Sequence, residues 1–267
     1  MILQCLFFCC SFAPRTTDEI YRQRPPPQLL SWSPRIFLHE DLLTGPEADS
    51  LVEYSKHVFA ERPSTNMGEQ RGSRTSSTFW MNSTVEQTDS MLRTLLQRMH
   101  EAVMVPLHHG EELQISRYRK GEKYEFHHDT DQRLARILTI LIYLSDVREG
   151  GETIFPFAIA AQADGKHELL SSEPPLPPPV DLNNLRKSGI KPMAPYCARA
   201  RNGTADFVTV RPRKGAAVVF YSMSPGLQID ERAWHGACPV ISRDDEKWVA
   251  QRWIKWQSRK GRFYVGP

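Results

Sequence analysis

The sequence predicts an α+β protein that is mainly β, and three observations carry that prediction. Residues 137–144 (ILTILIYL) form a continuous apolar run of strand length, the pattern of a strand buried on both faces. Two further strand-length runs follow, 216–221 (AAVVFY) and 248–256 (WVAQRWIKW). Apolar residues at helical spacing are confined to the stretch before Gly110. In composition the 267 residues are ordinary, 40% hydrophobic and 24% charged, so a disordered chain is excluded. The formal net charge of +3, without a basic stripe, argues against a nucleic-acid partner. No apolar run approaches the roughly 20 residues of a membrane span, which excludes a polytopic membrane protein.

Residues 1–27 read as an apolar leader and a Pro-rich linker. Residues 2–13 are almost wholly apolar, as in the core of a signal peptide, but lack a positively charged start and a clean cleavage site. Signal peptide and undefined tail both remain open readings. Cys9 and Cys10 offer weak membrane association through acylation. Residues 28–110 form an N-terminal part with a short strand at 32–38 and helices at 46–59 and 88–103. Pro46 and the acids after it mark the first helix start. Residues 68–77 read as a polar loop.

Residues 111–258 form the core, with strands at 114–118, 137–144, 216–221 and 248–256. A Pro-rich insertion at 173–195 interrupts it and reads as an exposed loop, because proline cannot donate to a sheet ladder. Residues 259–267 form a tail. Of the five cysteines, three sit in the leader. Cys197 and Cys238 either pair, in an oxidising compartment, or are two separate buried thiols.

The chemistry concentrates in 124–129 (YEFHHD). Residues two apart on an extended chain project to one side, so His127 and Asp129 can reach one metal ion while His128 turns away. His235, in AWHGACPV, is the best third ligand. Two histidines and one carboxylate on one face of an ion suit non-haem Fe(II), leaving positions open for a co-substrate and O₂. The pair alone is a cheap signal: His39 and Asp41 repeat it and read as a surface or helix-start element. Lys247, twelve residues beyond His235, strengthens the case. Alternation puts Lys247, Val249, Gln251 and Trp253 on one side of a strand, with Arg252 opposite. A lysine facing the interior demands an anion, which a dicarboxylate co-substrate supplies.

From residue 30 to residue 255 the chain resembles the 2-oxoglutarate- and Fe(II)-dependent prolyl 4-hydroxylases, most closely the short plant and algal type. The matching segments are SWSPRIFL, RTSSTFW, Tyr118 with KGEKYEFHHD, RILTILIYLSDV, EGGETIFP, RPRKGAAVVFYS and WHGACPVISRDDEKWVAQRWI. The resemblance implies a double-stranded β-helix (jelly-roll) core with N-terminal buttressing helices. It implies His127, Asp129 and His235 as iron ligands, with Lys247, Tyr118 and Thr153 around the distal carboxylate of 2-oxoglutarate. Arg136 and Trp253 correspond to peptide-groove residues. It further implies a proline-containing peptide or protein substrate hydroxylated at C4, L-ascorbate as a reductant for the iron, and the endoplasmic reticulum or secretory pathway as the location. It specifies no oligomeric state. The chain departs from the family at Phe126 (usually Pro), at His128 (usually aromatic), in a shorter segment from Asp129 to Arg136, in two extra residues between His235 and Lys247, and in the Pro-rich insertion. A 2-oxoglutarate oxygenase acting on another substrate, and an inert binding module of the same fold, are the competing readings.

Overall fold

The computed structural model describes residues 25–61, 74–130, 135–161 and 193–256. The leader, most of the expected polar loop at 68–77, residues 173–192 of the insertion and the tail lie outside the described residues. Two antiparallel sheets face each other. The larger combines β1 (Gln28–Trp32), β2 (Arg35–His39), β3 (Ser77–Trp80), β4 (Gln114–Tyr118), β6 (Arg136–Tyr143), β9 (Ala217–Tyr221) and β11 (Lys247–Lys255), in the order β1-β2-β9-β6-β11-β4-β3. The smaller is ordered β5-β10-β7-β8, from β5 (Tyr124–His127), β7 (Thr153–Phe155), β8 (Val208–Val210) and β10 (His235–Ala237). This is the expected double-stranded β-helix.

Both long central strands are buried on both faces, as their unbroken apolar sequences require. Ile140, Ile142, Trp248, Ala250 and Ile254 point to one side and meet the helices. Leu141, Tyr143, Val218, Phe220 and Val249 point to the other and fill the space between the sheets. The helical layer is α1 (Gly45–Glu61), α2 (Ser83–Thr88) and α3 (Ser90–Ala102). Thr44 and Glu47 cap α1 reciprocally: the Thr44 backbone N–H donates to the Glu47 carboxylate at 2.8 Å, and the Glu47 N–H to Thr44 Oγ1 at 3.4 Å. α3 buries Leu92, Leu95, Leu96 and Met99 against the sheet, each worth about 1.5–3 kcal/mol.

Two sequence expectations are corrected and one is sharpened. The stretch 32–38 is not one strand but the turn and second arm of a hairpin, because Ser33–Pro34 reverses the chain between β1 and β2. The helix expected over 88–103 forms as Ser90–Ala102, its start set by Asp89, whose extended backbone lets its carboxylate accept the Leu92 N–H at 2.8 Å. The last residues of the Pro-rich insertion are helical, since Pro195 sits in the first turn of α4 (Ala194–Asn202), where no donor is needed. The sequence reading had no helix here.

A buried polar network ties helices to sheet. Glu86 accepts the Leu113 N–H at 2.5 Å and faces Arg252 Nη1 at 3.3 Å, while Arg252 Nε donates to His100 Nε2 at 2.8 Å. Burial and the Arg252 charge hold His100 near pKa 4, so it is the neutral acceptor this geometry needs. Glu86→Ala strips a buried guanidinium of its carboxylate. We expect it to lose about 3–5 kcal/mol in a denaturant titration.

Candidate metal centre

Strands β5 and β10 pair antiparallel with His235 directly opposite His127, the ring centroids 4.2 Å apart. Asp129 turns its carboxylate toward both. Oδ1 lies 3.6 Å from His127 Nε2 and Oδ2 lies 3.7 Å from His235 Nε2. Among the described residues these three form the one group of His, Cys, Asp or Glu side chains able to share a metal ion, with ligand atoms within 4.8 Å of one another. The His39 copy of the pattern lies outside it, ending β2 ahead of the α1 cap.

Each imidazole is oriented through its other nitrogen. His127 Nδ1 donates to the Glu125 carbonyl at 2.8 Å, and His235 Nδ1 to the Ala233 carbonyl at 3.0 Å. A carbonyl only accepts, so each Nδ1 carries a proton and each Nε2 is turned toward the carboxylate. Burial, with His127 close by, pushes the His235 pKa down to about 3, so its ring is neutral. Burial would raise the Asp129 carboxyl, and the Thr139 hydroxyl, donating to Oδ2 at 2.5 Å, opposes it, so the carboxyl stays below its ordinary range. Among the described residues, His235 Nε2 is buried without a hydrogen-bond partner. Two imidazole Nε2 atoms and a carboxylate oxygen converging within 4.8 Å of one another fit a divalent cation. His128 is turned away, its Nε2 on the Asp230 carbonyl at 3.0 Å.

Lys247 opens β11 opposite Tyr118, 1% exposed, on the face between the sheets. Its Nζ lies 3.4 Å from Thr153 Oγ1 and 5.4 Å from the Tyr118 ring centroid. Among the described residues no carboxylate stands within ion-pair distance of it, so a buried cation faces hydroxyls and rings. Burial pulls the Lys247 pKa down to about 7, against the opposing influence of Glu152. An arriving carboxylate would restore the charge.

The sequence reading missed Tyr143. Its phenol donates to Thr153 Oγ1 at 2.8 Å, and its ring centroid is 5.6 Å from Lys247 Nζ. Burial raises the phenol pKa and keeps that proton in place. A signal existed: Thr139 and Tyr143 are the two hydroxyl-bearing residues of the run 137–144. Four apart on a strand, they share a face, and one ends on Asp129 while the other ends on Thr153.

Arg136 and Trp253 come together. The guanidinium lies 4.2 Å from the indole centroid, pairs with Glu111 at 2.7 Å, and donates to the Asp129 carbonyl at 3.3 Å. Trp253 also stands opposite Thr139 across β6 and β11, which places it beside the triad.

Outside the small sheet, α4 is pinned to β10 by a disulfide between Cys197 and Cys238, Cα atoms 5.6 Å apart. Gly236 makes this approach feasible: a Cβ there would meet Met193 Sδ at 2.8 Å and Phe126 Cδ1 at 3.1 Å. The strand bearing His235 is thereby clamped from behind.

A double-stranded β-helix with a facial triad and a buried cation on its inner surfaces defines the class of 2-oxoglutarate-dependent iron oxygenases. Residues 113–255 match the 2OG-Fe(II) oxygenase superfamily. The probable prolyl 4-hydroxylase 9 of Arabidopsis thaliana is 32% identical over 247 residues, covering 88% of this chain and 73% of that protein. The probable prolyl 4-hydroxylase 3 of the same plant is 31% identical, covering 85% and 71%. The 2OG complex of a viral collagen prolyl hydroxylase from Paramecium bursaria Chlorella virus-1 shares the fold, with a TM-score of 0.50 at 20% identity over 82% of this chain and 94% of that one. The chain belongs to the 2OG-Fe(II) oxygenase superfamily and, within it, to the prolyl 4-hydroxylases.

A lysine that titrates near 7 must take up a proton to hold a carboxylate at higher pH. Affinity for 2-oxoglutarate should therefore fall as pH rises from 7 to 9, by up to about tenfold per unit. Lys247→Met should weaken binding and flatten that slope. Titrating the visible band of the anaerobic Fe(II) complex at several pH values measures both.

Proposed function

We propose that this protein hydroxylates C4 of proline in a peptide or protein, using Fe(II), O₂ and 2-oxoglutarate and releasing succinate and CO₂. The observation that carries the reading is the placement, between two facing sheets, of a His, Asp, His triad and a buried lysine with no ion-pair partner among the described residues. Family membership supports proline as the substrate.

His127 and His235 through Nε2, and Asp129 through a carboxylate oxygen, would hold a ferrous ion. When bound, the iron and 2-oxoglutarate together supply the oxidising chemistry, one atom of O₂ going to succinate and the other to the hydroxyl. Thr139 anchors the Asp129 oxygen, and the Glu125 and Ala233 carbonyls fix the two rings, so the ligand geometry is set before the metal arrives. Lys247 neutralises the distal carboxylate of 2-oxoglutarate, and Thr153 Oγ1 accepts the hydrogen bond from Tyr143, leaving its own hydroxyl hydrogen free to be donated. Tyr118 walls the opposite side. The apolar rings of Phe155 and Phe220, packed on His235, exclude water from the metal's inner side. Arg136 and Trp253 form a rim for the peptide.

L-ascorbate serves as the reductant for iron oxidised without substrate. The protein works in the endoplasmic reticulum or secretory pathway, where the Cys197–Cys238 disulfide is stable.

His127→Ala, Asp129→Ala and His235→Ala should each abolish peptide-dependent succinate formation, and each should weaken or remove the anaerobic Fe(II)–2-oxoglutarate band. Succinate production at the wild-type rate in any of them would discard the triad. With the band established, mass spectrometry of proline-containing peptides for a 16 Da gain separates proline hydroxylation from oxidation of another side chain.

A further inference from the structure

Beyond the triad and the lysine pocket, the inner face of β11 carries a second unpaired pair of groups. Gln251 is 4% exposed and, among the described residues, its Oε1 has no hydrogen-bond partner; Trp253 is also 4% exposed and its Nε1 has none there. The two alternate on the face that begins at Lys247, about 7 Å apart along the strand. A buried amide oxygen and a buried indole N–H left unpaired are costly, and native structures seldom keep them without a purpose.

Their surroundings converge on the metal centre from two directions. Gln251 stands between Gln114 on β4 and Leu141 on β6. Gln114 accepts from Arg74 at 3.0 Å, and that guanidinium lies 4.6 Å from the centroid of Tyr124, which stacks on His127 at 3.6 Å. On the other side Trp253 faces Thr139, the partner of Asp129. Above both, the Trp80 ring reaches from β3 to lie 5.2 Å from that of Trp253 while remaining 42% exposed, so it is the side chain a ligand would meet first.

We infer that Gln251 is a specificity residue that reads a backbone N–H next to the target proline, while Trp253 Nε1 donates to a nearby peptide carbonyl. This rests on the prolyl hydroxylase reading above and refines it. Proline carries no N–H, so only a non-proline neighbour supplies the donor Gln251 requires. The enzyme should then prefer prolines flanked by other residues and act poorly inside uninterrupted proline runs. A site built to hydrogen-bond a group rejects the analogue lacking it, because its own polar atom stays unpaired.

The test uses the full-length Fe(II)-loaded enzyme and peptides with one proline between alanines. In two analogues a single ester replaces the backbone amide N–H, on one side of the proline or the other. With wild type, one ester analogue should lose about tenfold to a hundredfold in kcat/KM, read as hydroxylated product. Gln251→Met should bring parent and ester within about threefold of each other, and that ratio is independent of any general loss of activity. Equal turnover of parent and both esters by wild type overturns the inference, as does undiminished discrimination by Gln251→Met. Absence of the anaerobic Fe(II)–2-oxoglutarate band, or of any hydroxylated proline, would instead count against the proposed function itself.

Discussion

The register of a three-residue strand controls this site. β10 pairs with β5 so that His235 falls opposite His127, and a slip of one residue would turn His235 to the outer face. A strand this short has few ladder bonds of its own to hold that register. The protein supplies the rest through β7 on the other edge, through the Cys238 N–H donating to the Glu152 carbonyl at 2.8 Å, and through the disulfide to α4. Gly150 belongs to the same clamp: its φ of +80° and the Pro239 carbonyl, 2.3 Å from where a Cβ would be, leave room for no side chain.

Charge is arranged with equal economy. Among its buried charges, the described interior sets Asp129 at the triad and Lys247 apart from an ion pair, Glu86–Arg252, under the helices. The ion pair is closed on itself by His100 and the Leu113 N–H, so it fastens layers together. The other two are open. Asp129 faces a neutral His235, and among the described residues Lys247 has no carboxylate within ion-pair distance. These opposite deficits are what a divalent cation and a dicarboxylate remove together, and burial makes each deficit costly enough to favour binding.

The inner face of β11 orders the site along one line. Lys247 opens it, Val249 packs in the core between the sheets, and Gln251 and Trp253 follow on the same face. Beside it, β6 sends Tyr143 toward the lysine and Thr139 toward the aspartate. Two adjacent strands therefore contribute to both the co-substrate end and the metal end, and their long shared ladder holds the spacing between the two.

Much of this was legible in the sequence for a physical reason: period-two alternation assigns side chains to faces without knowledge of partners. It put Lys247 and Trp253 on one face and Arg252 on the other, joined His127 to Asp129, and marked 137–144 as buried on both sides. Local patterning could not show the hairpin at Ser33–Pro34, the cap at Asp89 or the start of α4 at Ala194, because each is set by one turn or one cap. Nor could it choose between paired and separate states for Cys197 and Cys238. Tyr143 was hidden inside an apolar run, and the orphaned amide of Gln251 has no sequence signature. Alternation within a strand determined which residues look inward; only the pairing of strands far apart in the chain decided which of them meet, since hydrogen-bond register is a property of two segments and never of one.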